Sequence, residues 1–434
     1  MTTRAPAAPP RRHVRRRALA LLLIGTTVVH TTMFLAKPIV SYRVLALGGD
    51  EFDVGVVAAA SALLPIFLAI PMGRFSDRGR APVLLVSGGV VLIAGPFGLA
   101  NVESILGVGL VNAAYGFGLL ALMVAGQAVV VALSGPGEHD RNFGWFTASA
   151  SLGQMLGPLL GGWVMGASSG PLLADTTAAF LTGGGVAVGA LLAYGLVVVV
   201  LRGSAAFGPS VPETSSSRAA GSRSAPATSA TPDIPSNRHD ADSAGRGSAL
   251  GLLRNRQLAV AVFVSFAFIS GVDLLIAYLP VYGEHAGLSP SLVGTMLAIR
   301  AGLSFVTRLF LDALVRFAGR LVVIVVSAAV ATATMLTIVA SSGPFMLGVL
   351  MVLLGLTLGL GQPLTMTWVV EQAPRRLRAT ALALRITGNR VAQTTAPALA
   401  GGFSSIIGVA GPFVLAALLL GAAGASVVPF LRNR

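Results

Sequence analysis

The chain contains no cysteine among its 434 residues. Disulfides, thiolate metal sites and cysteine nucleophiles are therefore excluded, and composition carries no mark of the redox compartment. Charge is also scarce: Asp, Glu, Lys and Arg make up 11% of the residues, against about 25% in an average soluble domain. The five histidines lack metal-cluster spacing, and the chain has neither an H-E-x-x-H helix nor a phosphate-cradling Gly-rich loop with a following Lys. Enzymatic bond-making and a bound cofactor are not expected. Nor does the chain offer a soluble segment of roughly the hundred residues that an ATP-driven pump would need for its nucleotide.

What the chain has in abundance is apolar length. Hydrophobic residues reach 54% and the mean hydropathy is +0.82. Runs near the roughly 20 residues that cross a bilayer recur at 18–41, 53–72, 82–100, 104–133, 143–166 and 177–201. They resume at 257–281, 290–313, 319–341, 345–370, 379–407 and 411–431. The spans near 104–133 and 379–407 are long enough to include interfacial turns. The expected fold is an all-α membrane protein with twelve transmembrane helices.

A net charge of +14 would ordinarily suggest nucleic acid. Placed along the spans, however, the basic residues sort to one side, except Lys37, Arg43, Arg300, Arg385 and Arg390. Arg43 falls on the opposite side and the other four lie within spans. This is the positive-inside pattern, which predicts both termini in the cytoplasm and assigns the charge to topology, with no nucleic acid as partner. The tail RRHVRRR runs into an apolar span without a small-residue cleavage site, so it reads as an anchor. Lys37 is the one lysine among 30 basic residues, a bias that suggests a GC-rich bacterial genome and hence the cytoplasmic membrane of a bacterium.

Between the sixth and seventh spans the composition turns to Ser, Ala, Pro and Gly, without apolar periodicity. The organisation read from this is a basic tail at 1–17, a six-helix bundle at 18–202, a disordered cytoplasmic linker at 203–254 and a second six-helix bundle at 255–434. Traces of duplication connect the bundles. GRFSDRGR (73–80) follows the second span and DALVRFAGR (312–320) the eighth, both ending in Gly-Arg. Gln154 precedes Pro158 by four residues, as Gln393 precedes Pro397. Parallel repeats of this kind place a substrate site at mid-membrane between them.

The fifth span carries Gly144, Gly153, Gly157-Pro158 and Gly161-Gly162 in the spacing G-x8-G-x3-G-P-x2-G-G. Small residues at this spacing let a neighbouring helix approach closely, and Pro158 removes a helical N–H. The segment resembles the fifth-helix signature of drug/proton antiporters of the major facilitator superfamily. Gly73, Asp77, Arg78, Gly79 and Arg80 resemble that superfamily's second-to-third-loop motif, shortened by one residue. The resemblance implies that this loop is a cytoplasmic latch, with Asp77 facing the start of the eleventh span near Arg376 and Arg378. In the second copy the glycine, the acid and the first arginine become Asp312, Arg316 and Phe317, so gating is expected to be asymmetric. Proton-coupled members often carry an arginine where this chain has Asn112, in NAAYGFG, which leaves the coupling group open.

Ionisable residues inside spans are costly and serve as functional candidates by default. Asp273 and Arg300 lie at similar depth on consecutive spans, which predicts an ion pair, either structural or coupled to transport. His30 sits mid-way along the first span, with Thr26 and Lys37 on its face. It suits a proton carrier or polar substrate contact, or else an interhelical hydrogen bond. Arg385, Asn389 and Gln393 recur every fourth residue and share one face. Together with Gln127 and Gln362 they are expected to line a central cavity. Arg385 favours an anionic solute if it faces that cavity freely, and not if it pairs with Glu371.

The function expected is secondary transport by alternating access, most simply efflux of small amphipathic compounds by a monomer that exchanges them for protons. A proton-linked importer or a facilitator of a small metabolite, anionic or not, is the alternative. A non-transporting sensor built on the same fold is a third reading.

Overall fold

The computed structural model describes residues 12–135, 138–167, 170–202, 251–341, 343–374 and 377–432. The predicted linker at 203–254 lies almost wholly outside them, as do Arg375 and Arg376; the side chains of Asp77 and Arg378 are likewise undescribed. Among the described residues the structure is helical throughout. The first half contains α1 (Arg12–Ala46), α2 (Glu51–Phe75), α3 (Ala81–Asn101), α4 (Ile105–Leu133), α5 (His139–Gly166) and α6 (Leu172–Arg202). The second contains α7 (Arg256–His285), α8 (Pro290–Leu309), the short α9 (Leu311–Ala318), α10 (Arg320–Ala340), α11 (Pro344–Gln372), α12 (Arg378–Ile407) and α13 (Gly411–Arg432).

An apolar run in a medium without water must satisfy its backbone internally, and helix is the local way to do so. Ten stretches among the described residues are long and apolar enough to cross a membrane. α5 is not one of them because its glycines and hydroxyls dilute its hydropathy, and α12 and α13 together form a single stretch. Helix starts carry side-chain caps: Asp50 and Asp53 form a reciprocal box at α2, while Ser104, Asn255 and Ser289 cap α4, α7 and α8.

Two expectations need correction. Helices α4 and α12 run unbroken over 105–133 and 378–407, with no interfacial turn. The span expected at 290–313 instead ends at Leu309, and α9 follows as a separate amphipathic helix with no buried residue. The charges Asp312 and Arg316 give α9 a polar face that a membrane crossing would not tolerate.

The duplicated Gly-Arg corners share a positive glycine φ, although ψ differs, 12° at Gly79 and 148° at Gly319. Gly79 (φ 77°) and Gly319 (φ 79°) both turn through the left-handed region, which a Cβ disfavours, just before α3 and α10. Packing follows the same symmetry. Helices α1 to α6 pack on one another, as do α7 to α13, and the halves meet along α2–α12, α5–α8 and α1–α7. With α2 matched to α8 and α5 to α12, the first two contacts are one contact repeated. The third pairs two equivalent helices.

The face where α1 begins and the Arg74–Arg80 connection lies is called the basic face here, and the opposite one the far face. At the far face the halves are tied together. Tyr278 Oη donates to Glu51 O (3.1 Å) and Pro397 O (3.3 Å), and Ser291 Oγ donates to Gly162 O (3.0 Å). His285 Nε2 lies 3.4 Å from the Glu51 carboxylate.

Candidate functional site

Glycines allow the helices around the centre to approach backbone to backbone. A Cβ on Gly153 or Gly157 would come within 2.4 Å of Thr27 O and 2.5 Å of Thr31 O respectively, and Gly161 presses on Leu35 and Ile39. These three glycines seat α5 on α1, inside the first half. Only the far-face end of the signature crosses to the second half, where Gly162 abuts Pro290 O and Gly294, and Pro158 O meets Gly294. Gly144 faces open space. The signature is therefore mainly a packing seam for α1 and only partly an interface between halves.

Between the halves lies a cavity of about 430 Å³, within the range of drug-sized ligand sites. Its apolar wall includes Met33, Phe34, Leu119, Met123, Ile269 and Ile386, and its polar groups include His30, Lys37, Asn112, Gln154, Asp273, Gln362, Asn389, Arg390 and Gln393. A smaller pocket of about 160 Å³ shares Lys37, Asp273, Gln154, Gln362 and Gln393 with it and adds Arg300, Ser304 and Arg308.

Asp273 organises the polar centre. Lys37 Nζ, from the other half, lies 2.8 Å from Asp273 Oδ1, with side-chain exposures of 26% and 11%. Gln393 Nε2 donates to Asp273 Oδ2 (3.0 Å), and Arg390 Nη1 donates to Gln393 Oε1 (2.9 Å). One carboxylate thus links α1, α7 and α12. A second group surrounds Gln362, whose Oε1 accepts from Arg385 Nη2 (2.5 Å) and Asn389 Nδ2 (3.3 Å), while Ser265 Oγ donates to Asn389 (2.8 Å). His30 lines the cavity with Nδ1 on Thr26 O (2.9 Å), so Nε2 is free for a ligand. Asn112 Nδ2 donates to Val57 O (2.8 Å) and ties α4 to α2 beside the cavity.

Several sequence expectations change. The predicted Asp273–Arg300 pair does not form: Asp273 pairs with Lys37, and no nitrogen of Arg300 reaches ion-pair distance of an acid among the described residues. Equal depth on consecutive helices is insufficient because α7 turns Asp273 toward the other half. Arg385 does not face the cavity freely and does not pair with Glu371. It is 6% exposed and is held by Gln362 O, Gln362 Oε1 and Thr365 Oγ1 on α11. Glu371 instead meets Arg320. Gln127 is exposed and lines neither central pocket. Arg43, expected on the aqueous side, is buried and donates to the carbonyls of Ala100 in α3 and Val102 just past its end, and to α6 hydroxyls.

The second-to-third connection is a wide turn at Ser76–Arg80 that packs chiefly on α2, α3 and α4, with the Arg80 guanidinium 5.1 Å over the Phe75 ring. Gly73 belongs to the end of α2 and Arg78 is exposed. The expected contact of Asp77 is not among the described parts, since Arg376 lies outside the described residues and the side chains of Asp77 and Arg378 are undescribed.

Sequence reasoning missed Lys37, Arg390, Gln154 and Arg308 as lining residues. For Lys37 and Arg390 the signal is available, since each is a charge within an apolar span. Arg308 counts with the basic loop on its position in the chain alone. The structure leaves it half-buried, with Nε on Gly359 O (3.1 Å) and Nη1 on Ser151 Oγ (3.3 Å).

The Major Facilitator Superfamily model matches residues 22–384 and 316–434. The chain belongs to the Major Facilitator Superfamily. It is a multi-pass membrane protein of a transporter family. It is 29% identical over 156 residues to the efflux pump azaK of Aspergillus niger, a match covering 33% of this chain and 32% of that one. The chain thus spans about a third of the length of that curated relative. Among solved structures, the nucleoside transporter NupG superposes with a TM-score of 0.66 at 13% identity, covering 96% of this chain and 98% of that one. A bacterial homologue of the human lysosomal transporter Spinster gives 0.68 at 14% identity, covering 97% and 98%. A peptide-transporter-family (POT) structure in complex with a thioalcohol-conjugated peptide gives 0.69 at 13%, covering 96% of each chain. At these identities the likeness shows the fold alone.

Proposed function

We propose that this transporter exports small amphipathic compounds across a bacterial cytoplasmic membrane in exchange for protons, by alternating access. The two six-helix halves rock about the central cavity, with the basic face in the cytoplasm. The observation that carries the reading is the Lys37–Asp273 ion pair, which joins α1 to α7 inside the cavity. Protonating Asp273 removes the charge that holds Lys37, so one proton loosens a tie between the halves. A half-buried pair can be formed and broken in this way because desolvation offsets much of its attraction.

Export is supported by the fifth-helix signature and by the fungal efflux relative. The conformation described, tied at the far face by Tyr278, Ser291 and the Gly162–Gly294 approach, suits a state that loads from the cytoplasm. The wide turn at 76–80 serves as the latch when the basic face closes.

The test uses everted membrane vesicles with a respiration-driven proton gradient reported by a pH-sensitive dye. Amphipathic compounds are expected to collapse the gradient only in vesicles holding the protein. Asp273→Asn is expected to lose proton-driven flux while retaining substrate counterflow. Proton-driven flux at the level of the unsubstituted protein in Asp273→Asn would overturn Asp273 as the coupling group. A panel without any response would overturn proton-coupled export.

A further inference from the structure

Arg300 is enclosed within α8 at 3% exposure. Its Nε is sealed from solvent without a hydrogen-bond partner, and its guanidinium makes no hydrogen bond or ion pair among the described residues. Buried guanidinium groups ordinarily pair with an acid or with several carbonyls, as Arg385 and Arg43 do in this chain. Arg300 departs from that pattern, and it lines the smaller pocket that shares Lys37, Asp273 and Gln362 with the central cavity.

The surroundings of that pocket share one electrical character. Arg300, Ser304 and Arg308 recur every fourth residue, so α8 presents two guanidinium groups along one stripe. Lys37 completes three cationic side chains around the pocket, against one acid, Asp273. Both carboxylate oxygens of Asp273 are already engaged, by Lys37 and Gln393. Neutral donors are present as well: Gln154 lines the pocket, and so does Gln362, whose Nε2 is enclosed without a partner. Glycines hold the α8 stripe in position. A Cβ on Gly355 would meet Arg300 O at 2.7 Å, and one on Gly359 would meet Ser304 Cα at 2.6 Å, so α11 fixes the height and rotation of α8.

We infer that Arg300, with Lys37, Arg308 and Gln362 around it, forms an anion subsite that takes the carboxylate of an amphipathic organic acid. The apolar body of that acid lies in the larger cavity among Met33, Phe34, Leu119, Ile269 and Ile386. A planar guanidinium suits a planar carboxylate, which it can hold through two parallel hydrogen bonds. The ligand's negative charge also offsets part of the positive excess that three cations leave over one acid. The inference rests on the transport reading for its cargo, but the subsite is a binding property and is tested as one.

The experiment uses the purified full-length protein in lipid nanodiscs, with binding measured by calorimetry at pH 7. The probes are 4-phenylbutyrate, its amide and 4-phenylbutylamine, which share one apolar body and differ in the head group. The carboxylate is expected to bind at least about tenfold tighter than either partner, the effect of losing one hydrogen-bonded charge pair. Arg300→Gln is expected to reduce the three probes to equal affinity, and Arg300→Lys to restore part of the preference. Equal binding of the three probes to the unsubstituted protein, or an unchanged preference in Arg300→Gln, would overturn the subsite. Should Arg300→Gln fail to insert, the three probes on the unsubstituted protein decide alone. Selective carboxylate binding without flux in everted vesicles would uphold the subsite and sink the export reading. Flux of neutral amphipathic compounds without carboxylate selectivity would do the reverse.

Discussion

Gly157→Ala adds one methyl group to the seam between α5 and α1. The new Cβ would lie 2.5 Å from Thr31 O, 2.7 Å from Leu35 N and 2.8 Å from Phe34 C. All three are backbone atoms and cannot swing aside, and ordinary contact begins at 3.4 Å. The helices must part by roughly 1 Å, and overpacking of this kind costs about 1–3 kcal/mol. Gly144→Ala is the control. Its Cβ meets nothing within 4 Å, and replacing a mid-helix glycine by alanine is worth up to about 1 kcal/mol in the helix's favour. Gly157→Ala gains the same propensity, so the two variants should differ by the overpacking cost alone, about 1–3 kcal/mol, although each removes one glycine of the same signature. Thermal unfolding in detergent measures this directly, with Gly157→Ala melting well below and Gly144→Ala at or above the unsubstituted protein. Equal melting of the two would refute the assignment of Gly157 to the α1 seam. Gly162→Ala offers a third comparison, because its Cβ would strike Pro290 O at 2.6 Å in the other half. Its effect should fall on transport more than on melting.

Arg43→Lys should destabilise the far end of the first half by about 2 kcal/mol, since one ammonium cannot span the two sets of acceptors that Nη1 and Nη2 reach. Faster hydrogen exchange at the ends of α3 and α6 would register that loss, and unchanged exchange would refute it. Glu138, at the start of α5, is held below the usual glutamate range by the Gly135 N–H (3.0 Å), with the Arg141 and Arg15 guanidiniums adding to it. A depressed carboxylate stabilises the fold above its unfolded pKa, and that contribution is lost as pH falls through the lower folded value. Protection of the amides at 134–135 and 138–142, taken relative to their intrinsic exchange at each pH, should therefore fall on acidification below the ordinary glutamate range. Glu138→Gln should show the same loss of protection at neutral pH, and a pH-independent protection there would contradict the linkage.

Much of the architecture is legible because it is written locally. A run of about 20 apolar residues can satisfy its backbone in a membrane in few ways other than helix, so most helix positions follow from run length. Arg316 and Asp312 mark where the eighth run stops being apolar, although in sequence they read as loop charges and not as α9. The matched Gly79 and Gly319 corners are visible as repeated Gly-Arg pairs. The site is legible only in part. His30, Asp273, Gln362, Asn389 and Gln393 do line the cavity, while Gln127 and Arg385 do not. On helices that are apolar almost all the way round, no polar stripe reports which way a given residue points.

The sequence by itself determined which segments are apolar enough to form membrane-length helices, where its motifs repeat and which charges are costly enough to matter. These follow from hydropathy, turn chemistry and the cost of burying charge, all properties of residues near one another in the chain. Tertiary structure decided the partners. Asp273 meets Lys37 across 236 positions of sequence, Arg43 staples α3 to α6, and Arg385 is closed off by α11. Arg300 is left facing a pocket, without a partner among the described residues. Each outcome depends on the rotation of a helix about its own axis and on the height at which glycines let its neighbour rest. Those two quantities arise only when the helices pack.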